Sequence, residues 1–381
     1  MKKIKHFMMA AVALMVAMSF TACSNDDNNS SNYERYQQEV NAAVNRQKSS
    51  NKVILLVAFG STWQQAYDTF DTILDEYKKE FPGWDVYLSF SSAICINQAR
   101  AGEHAKDPDT PAEVRNYYDP EHWLTAIGKA NYKTIVVQSL QVIPGEEYRR
   151  VRDSYVKDFM NNKNNDFTED YMHSIDKQVA VGVPLMGNDD DVDALANILV
   201  NESDIKSMIN NGTVVAFMGH GNPEDYDYYG ANVRYTELEN ALQALYPKKF
   251  YVGTVDMPGN FVDDVYDRMA NRDGITSGSV QFYPLMSIAG DHAHNDMADE
   301  DDPESWYSLF KEWGYEASAY ETIYPKSAAC YTKYVAGTDY IPALGERAAV
   351  RALWMQHTQD AIDAIENGDG LSTPTTEVEE E

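Results

Sequence analysis

Cysteine is scarce in this sequence, and its scarcity excludes a fold held together by a disulfide framework. The 381 residues contain three cysteines, Cys23, Cys95 and Cys330, and no CxxC pair. If Cys23 is consumed in N-terminal processing, at most one disulfide can form. Stability must therefore come from a hydrophobic core, and the chain from about residue 51 to 366 is long enough for two domains of ordinary size.

The short motifs of nucleotide-driven enzymes and of several hydrolases are also missing. The sequence has no Walker phosphate loop, no dinucleotide fingerprint and no HExxH zinc helix, and no GxSxG elbow surrounds Gly60-Ser61. We therefore expect no nucleotide cofactor. Ser61 is predicted to cap a helix or to donate a hydrogen bond to a ligand.

Positive charge is in short supply. Lysine and arginine together number 31 against 60 aspartates and glutamates, and the formal net charge is −29. Such a surface repels nucleic acid, so we expect no nucleic-acid partner. The same field raises the local concentration of metal cations without defining a site for them.

Only the N-terminus carries a long apolar run. Lys2, Lys3 and Lys5 precede the apolar stretch Phe7–Phe20, and small residues lead to Cys23. This pattern predicts a lipoprotein signal peptide over 1–22, with the mature chain attached to a membrane through a lipidated Cys23 at the cell envelope, in the periplasm or on a membrane surface. A polar tether is predicted over 23–50. The alternative is an uncleaved N-terminal anchor.

Eight short runs rich in β-branched and aromatic residues are predicted to be strands buried on both faces of parallel sheets. Helical patterns alternate with them, among them Trp63–Glu80 and Val192–Ile209. The fold class is therefore α/β, with two doubly wound domains of four parallel strands each, at 51–186 and 187–342, then a C-terminal helix at 343–366 and an acidic tail at 367–381. The predicted strands are Val53–Phe59, Val86–Phe90, Thr134–Leu140, Val179–Val183, Thr213–Met218, Phe250–Val255, Val280–Met286 and Tyr315–Tyr320.

Ligands of open parallel sheets bind beyond the carboxyl ends of the strands, so the residues that follow the strands are the candidate site. They are Ser61 after the first strand, Ser91 and Ser92 after the second, Gln141, Glu146 and Glu147 after the third, His220 after the fifth, and His292 and His294 after the seventh.

Each of these residues also has a purely structural interpretation. His220 lies between two glycines, where it is either a turn histidine or a ligand. The stretch Gly290–Asp296 holds two imidazoles and two carboxylates but could be a polar loop, and Glu146 and Glu147 suit the positive end of a helix. Two histidine-bearing loops after matching strands favour one shared site, and we predict that His220 and His292, from opposite halves of the chain, bind one metal there with Glu147 as a third ligand.

Several segments resemble the anaerobic sirohydrochlorin cobaltochelatase family of the CbiK type, in the family's order and over most of residues 52 to 360. The resemblance is carried by Leu55–Ser61, Ser89–Ser92, Val137–Leu140, Gly145–Tyr148, Gly182–Leu185, Met218–Gly221, Pro284–Met286 and Ala289–Ala293, with Gly345, Glu346 and Arg351 near the end.

The resemblance implies a class II chelatase, which inserts a divalent metal into a tetrapyrrole in the cleft between two domains without ATP. The metal substrate would be Co²⁺ first, with Fe²⁺, Ni²⁺ or Zn²⁺ also open, and the tetrapyrrole a sirohydrochlorin-like molecule or haem. The family's two catalytic and metal-binding histidines fall on His220 and His292, and its metal-contacting glutamate on Glu147. Ser61, Ser91, Ser92 and Gln141 are candidate substrate contacts.

The sequence departs from the family's pattern at two places, and two alternative functions remain open. Gln141 stands where the family often has histidine, and the loop Ala93–Gln98 lacks the basic residues expected for substrate carboxylates. Because the predicted export signal is unexpected for a biosynthetic chelatase, the alternative functions are an envelope protein that binds haem, a corrinoid or metal, and a chelatase that removes metal. A homo-oligomer is also left open.

Overall fold

Two four-stranded parallel sheets form the framework of the protein. The computed structural model describes residues 27–102, 114–319 and 341–374. The strand order is β2-β1-β3-β4 in the first sheet and β6-β5-β7-β8 in the second, so both halves share one topology. The strands are β1 Lys52–Ala58, β2 Asp85–Phe90, β3 Thr134–Ser139, β4 Val179–Gly182, β5 Val214–Gly219, β6 Phe250–Thr254, β7 Gly278–Leu285 and β8 Tyr315–Ser318.

The α/β prediction with two four-stranded sheets is therefore confirmed. The central strands are buried along their length because helices cover both faces, as their unbroken apolar sequences require. The helices are α1 Asp27–Gln47, α2 Gln64–Glu80, α3 Ala93–Ala101, α4 Pro120–Lys129, α5 Glu146–Arg150, α6 Lys157–Met160, α7 Glu169–Ser174, α8 Asp189–Asn201, α9 Ser203–Asn210, α10 Val233–Leu245, α11 Val262–Asp267, α12 Trp306–Glu312 and α13 Ala348–Glu366.

Two sequence predictions about helical segments, at Val192–Ile209 and at 23–50, are wrong. The pattern Val192–Ile209 is not one helix, because Glu202 adopts an extended ψ of 134° that ends α8 before α9 begins. Residues 23–50 are not all tether, since α1 packs on α4. Its Val40 and Val44 are fully buried. With Tyr36 they form an i, i+4, i+8 stripe that the polar composition of the segment hides.

Polar contacts also fasten α1 to the first domain. Glu39 pairs with Arg100 at 2.6 Å, and Gln37 Nε2 donates to the carbonyl oxygen of His122 at 3.0 Å. The His122 ring lies between two acceptors, a carboxylate oxygen of Asp119 at 2.8 Å from Nδ1 and the carbonyl of Tyr33 at 3.2 Å from Nε2. Since neither acceptor can donate, both ring nitrogens must, which favours the imidazolium.

We expect this ring to make the docking of α1 dependent on pH. Burial alone would lower the pKa of His122, but the hydrogen bond and charge of Asp119 outweigh it and raise the pKa. The resulting stabilisation is complete below the pKa of His122 in the unfolded chain, about 6.5, and is lost as pH rises through the higher pKa of His122 in the folded protein. We expect His122→Ala to lower the free energy of unfolding more at about pH 5.5 than at about pH 8.5. An equal loss at both pH values, measured by urea unfolding, would contradict this.

The C-terminal helix joins the two halves. Helix α13 packs on β3 and β4 of the first sheet. Arg351, one turn into it, forms a two-pronged pair with Glu76 of α2, whereas Arg347 just before it does the same with Asp204 of α9. Residues 367–374 of the predicted acidic tail are also packed, because Leu371 exchanges backbone hydrogen bonds with Lys177 and Val179. The remaining tail, 375–381, lies outside the described residues.

Candidate active site

The loops that carry the candidate residues follow the two central strands of each sheet, β1 and β3 in the first and β5 and β7 in the second. After β1 or β5 the chain continues to one edge of its sheet, and after β3 or β7 it continues to the opposite edge. A crevice therefore opens at the carboxyl ends of the adjacent strands β1 and β3, and likewise of β5 and β7. Ser61 follows β1, Glu147 follows β3, His220 follows β5 and His292 follows β7. The topology therefore gathers all four at the switch points of the two sheets.

The two histidines lie side by side. Their ring centroids are 4.8 Å apart with the planes at 82°. Because β5 and β7 are adjacent strands of the second sheet, the pair comes from one half of the chain, and the prediction that it spans opposite halves is wrong. The turn that presents His220 requires glycine, because Gly221 has φ +77° and a Cβ on it would lie 2.7 Å from the Met257 nitrogen.

Each histidine has one nitrogen fixed and the other available. His220 Nδ1 donates to the carbonyl oxygen of Gly221 at 2.7 Å, and His292 Nδ1 lies 2.5 Å from a carboxylate oxygen of Asp296. Neither Nε2 makes a hydrogen bond within the described part of the chain. A backbone or carboxylate partner on Nδ1 sets the tautomer and directs Nε2 to a metal or a proton.

The protein drives the proton affinities of the two imidazoles apart. The His220 side chain is 46% accessible, yet the surrounding cleft walls desolvate the ring and, together with neighbouring His292, lower the pKa of His220. Desolvation would also lower the pKa of His292, but the hydrogen bond and charge of Asp296, helped by Asp256 and Asp291, raise it. Near neutral pH His220 is therefore the unprotonated ring, with Nε2 available to accept a proton, and His292 is the more readily protonated of the two.

A third residue at this site escaped the sequence analysis. Asp256 lies two residues beyond β6, and its Oδ2 is 3.8 Å from His220 Nδ1. That oxygen is buried and has no hydrogen-bond partner within the described residues. The rule that located the other candidates at strand ends would also have found Asp256, because it follows a predicted strand of the same sheet.

Glu147 faces the histidines from the first domain. Its Oε2 accepts a hydrogen bond from Ser91 Oγ at 2.9 Å, and its Oε1 lies 3.2 Å from Arg150 Nη1. The charge of Glu147 acts on His220 across the cleft. Within the described residues, no three histidine, cysteine, aspartate or glutamate side chains are close enough together to enclose a cation. The arrangement is a pair of imidazoles flanked by carboxylates from both domains.

The remaining predicted contacts are partly engaged in local structure. Ser61 is buried and its Oγ accepts from the Trp63 nitrogen at 3.2 Å, and Ser92 caps α3 by accepting from the Cys95 nitrogen at 3.4 Å. The Gln141 side-chain oxygen accepts from Ser139 Oγ, which leaves its buried Nε2 without a partner among the described residues. Of these, Ser91 has the most direct link to the site, through Glu147.

Contacts between the domains border the cleft on two sides. On one side Trp63 stacks on His294 with centroids 3.6 Å apart and its indole nitrogen donates to Asp291 at 2.7 Å. On the other side the Arg149 guanidinium lies over the Tyr228 ring. The two halves are thus in contact near the carboxyl ends of the strands.

Known proteins with similar sequences agree with this picture. The model of the cobalt chelatase (CbiK) family matches residues 52–363. The sirohydrochlorin cobaltochelatase of Salmonella typhimurium is 26% identical over 317 residues, covering 82% of this chain and 97% of its own. The sirohydrochlorin cobaltochelatase CbiKC of Nitratidesulfovibrio vulgaris is 28% identical over 322 residues, covering 84% and 93%.

Among solved structures, SirB from Bacillus subtilis with Fe³⁺ is similar, with a TM-score of 0.48 and 14% identity over 84% of this chain and 99% of that one. The family match spans both sheets and includes His220, His292, Asp256 and Glu147. The chain belongs to the cobalt chelatase (CbiK) family and is a metal chelatase.

Proposed function

We propose that this protein inserts a divalent metal, Co²⁺ first among the candidates, into sirohydrochlorin or a closely related tetrapyrrole, without a nucleotide. The observation that carries the proposal is the His220–His292 pair, in which both Nδ1 atoms are held and both Nε2 atoms are open. Imidazole nitrogen suits Co²⁺, Ni²⁺, Fe²⁺ and Zn²⁺, and a site with few protein ligands leaves positions for water and pyrrole nitrogen.

The chemistry requires a metal site and proton acceptors near one another. Insertion removes two pyrrole N–H protons while the hydrated cation exchanges water for ring nitrogens. Neutral His220 takes one proton at Nε2, because its lowered pKa keeps it unprotonated near neutral pH, and the second proton passes to solvent water. Asp256 and Glu147 supply negative charge that attracts the cation to the cleft, and an open metal site lets it leave for the macrocycle.

Purified protein, Co²⁺ and sirohydrochlorin provide the test. We expect the absorbance of the metal-free ring to give way to that of the cobalt complex at a rate proportional to enzyme concentration, with or without ATP. Strict dependence on ATP, or a rate no greater than that of Co²⁺ and sirohydrochlorin alone, would contradict the proposal. Parallel reactions with Fe²⁺, Ni²⁺ and Zn²⁺ rank the metals.

The two carboxylates of the site are expected to differ in their effects. Asp256→Asn removes a buried charge whose Oδ2 has no hydrogen bond, so we expect the Co²⁺ concentration for half-maximal rate to rise by about 10- to 100-fold. Glu147→Gln should cost less, about tenfold, because Ser91 and Arg150 already occupy both oxygens. Tetrapyrrole affinity, from fluorescence quenching, should remain nearly constant in both variants. A larger effect of Glu147→Gln would assign the metal-contacting role to the first domain.

We also propose that the protein is a lipoprotein of the cell envelope. The proposal rests on the basic, apolar and small-residue pattern that ends at Cys23, which lies outside the described residues. No helix in residues 27–102, 114–319 or 341–374 is long and apolar enough to cross a membrane.

The processing of the N-terminus is directly measurable. We expect the membrane fraction to yield a mature chain that begins at a diacylated Cys23, because small residues precede this cysteine. Cys23→Ser should abolish the lipid mass and leave the precursor uncleaved, whereas Cys95→Ser, a buried cysteine in the body of the protein, should change neither. An intact wild-type mass that still includes residues 1–22 would contradict this prediction.

A further inference from the structure

The proposed substrate and the protein are both rich in carboxylates. Sirohydrochlorin-type tetrapyrroles carry acetate and propionate groups around the ring, and 60 acidic residues face only 31 basic ones in this chain. Binding such a ring requires a cation near the cleft, since unpaired carboxylates brought together repel one another. The segment Ala93–Gln98 after β2, which the structure shows to be the start of helix α3, supplies none. The cation must come from another element.

Three arginines follow Glu147 in the chain, and they differ in their partners. Arg150 pairs with Glu147, and the half-exposed Arg152 lies 3.8 Å from Asp153. Arg149 has no carboxylate within ion-pair distance in the described part of the chain, and its buried Nε has no hydrogen-bond partner there. Glu146, three residues earlier, interacts electrostatically with Arg149 without forming an ion pair, so the hydrogen-bonding edge of the guanidinium is left for a ligand.

The position of Arg149 is set by the opposite domain. Its guanidinium carbon lies 4.1 Å from the ring centroid of Tyr228, in the loop that follows His220. The next residue, Tyr229, adopts φ +60°, and its hydroxyl donates a hydrogen bond to Asp153 of the first domain. This bond holds the loop that contains Tyr228 against the helical segment that follows Arg149. A guanidinium lying on an aromatic ring keeps its edge available for an anion in its own plane.

We propose that Arg149 binds a peripheral carboxylate of the tetrapyrrole, with Tyr228 holding the guanidinium in place. The inference rests on the proposed function and specifies its ligand class: a tetrapyrrole that presents a free carboxylate, and not its ester or amide, at the edge bordered by α5 and the Tyr228 loop. Arg149 is a specificity-determining residue in this role. It takes no part in proton removal or metal transfer.

The test compares one ring with and without its charges. Uroporphyrin, a soluble porphyrin with eight carboxylates, and its octaamide are titrated against the full chain while porphyrin fluorescence is followed. We expect Arg149→Gln to weaken uroporphyrin binding by about 10- to 30-fold, as the loss of a charge-assisted pair implies, and to leave octaamide binding within about twofold. Arg149→Lys should fall between Gln and wild type. The matched control Arg152→Gln removes the same charge from the same surface and should shift binding less than about twofold.

Turnover gives an independent readout. With sirohydrochlorin and Co²⁺, Arg149→Gln should raise KM for the tetrapyrrole about as much as it weakens binding and leave kcat within about twofold, because the contact is the same before and during insertion. Equal weakening by Arg149→Gln and Arg152→Gln, or equal loss of both porphyrins, would overturn the assignment. If Arg149→Gln does not fold, Arg149→Lys carries the comparison. Wild-type protein that binds sirohydrochlorin but inserts no metal would refute the proposed function and leave the Arg149 assignment to the binding data.

Discussion

Replacing either histidine of the pair should reduce metal insertion by about three orders of magnitude, within the range for loss of a positioned acid or base. His220→Ala removes the neutral imidazole that accepts a proton, and His292→Ala removes its neighbour at 4.8 Å. Because the two act as one unit, the double variant should be little slower than either single variant. The measurement is the initial rate of cobalt insertion at saturating sirohydrochlorin.

A matched control separates catalysis from folding. His173→Ala changes an exposed histidine on α7 and should leave the rate unchanged. A purely structural role for the pair predicts the opposite result, namely a lower melting temperature in His220→Ala and His292→Ala with full activity in the protein that stays folded. Additive losses in the double variant would show that the two rings act in separate steps.

The largest effect on stability should come from Asp204→Ala. Asp204 and Arg347 form a two-pronged ion pair at 3.0 and 2.8 Å, and both side chains are only 2% accessible. Removing the carboxylate leaves a buried guanidinium without this anion, so we expect the free energy of unfolding to fall by about 3–5 kcal/mol. Denaturant unfolding followed by circular dichroism measures it.

An exposed pair on the same domain supplies the comparison. Asp189 pairs with Arg234 at 2.8 Å, but the aspartate side chain is 97% accessible. Asp189→Ala should therefore cost less than about 1 kcal/mol, because water screens the interaction. Similar losses for Asp204→Ala and Asp189→Ala would mean that Glu202, 3.3 Å from Arg347, takes over the buried charge.

The family resemblance and the strand pattern predicted the sheets of this structure and where the candidate site residues lie. Unbroken apolar runs such as Val53–Ala58 are typical of parallel strands with helices on both faces, and all eight predicted strands are present. Because ligand sites of such sheets lie at the carboxyl ends of strands, the same pattern selected His220, His292 and Glu147, which the structure places around one cleft.

Where the sequence misled, the reason was tertiary packing. The stretch 23–50 has the composition of a tether, yet α1 is held by the burial of Val40 and Val44 on the first domain and by partners distant in sequence. A stripe of few apolar residues is stable only when a complementary surface exists, and one sequence window cannot show that surface.

By itself the sequence determined the α/β class, the strand positions and the family, and it predicted the two site histidines, because these depend on local periodicity and on motifs contiguous in the chain. Only the tertiary structure decided that His220 and His292 lie side by side at the ends of adjacent strands, that Asp256 joins them, and that Arg149 rests on Tyr228 across the cleft. Strand order and domain packing set these distances, and both arise from contacts between residues far apart in the chain, which no local pattern records.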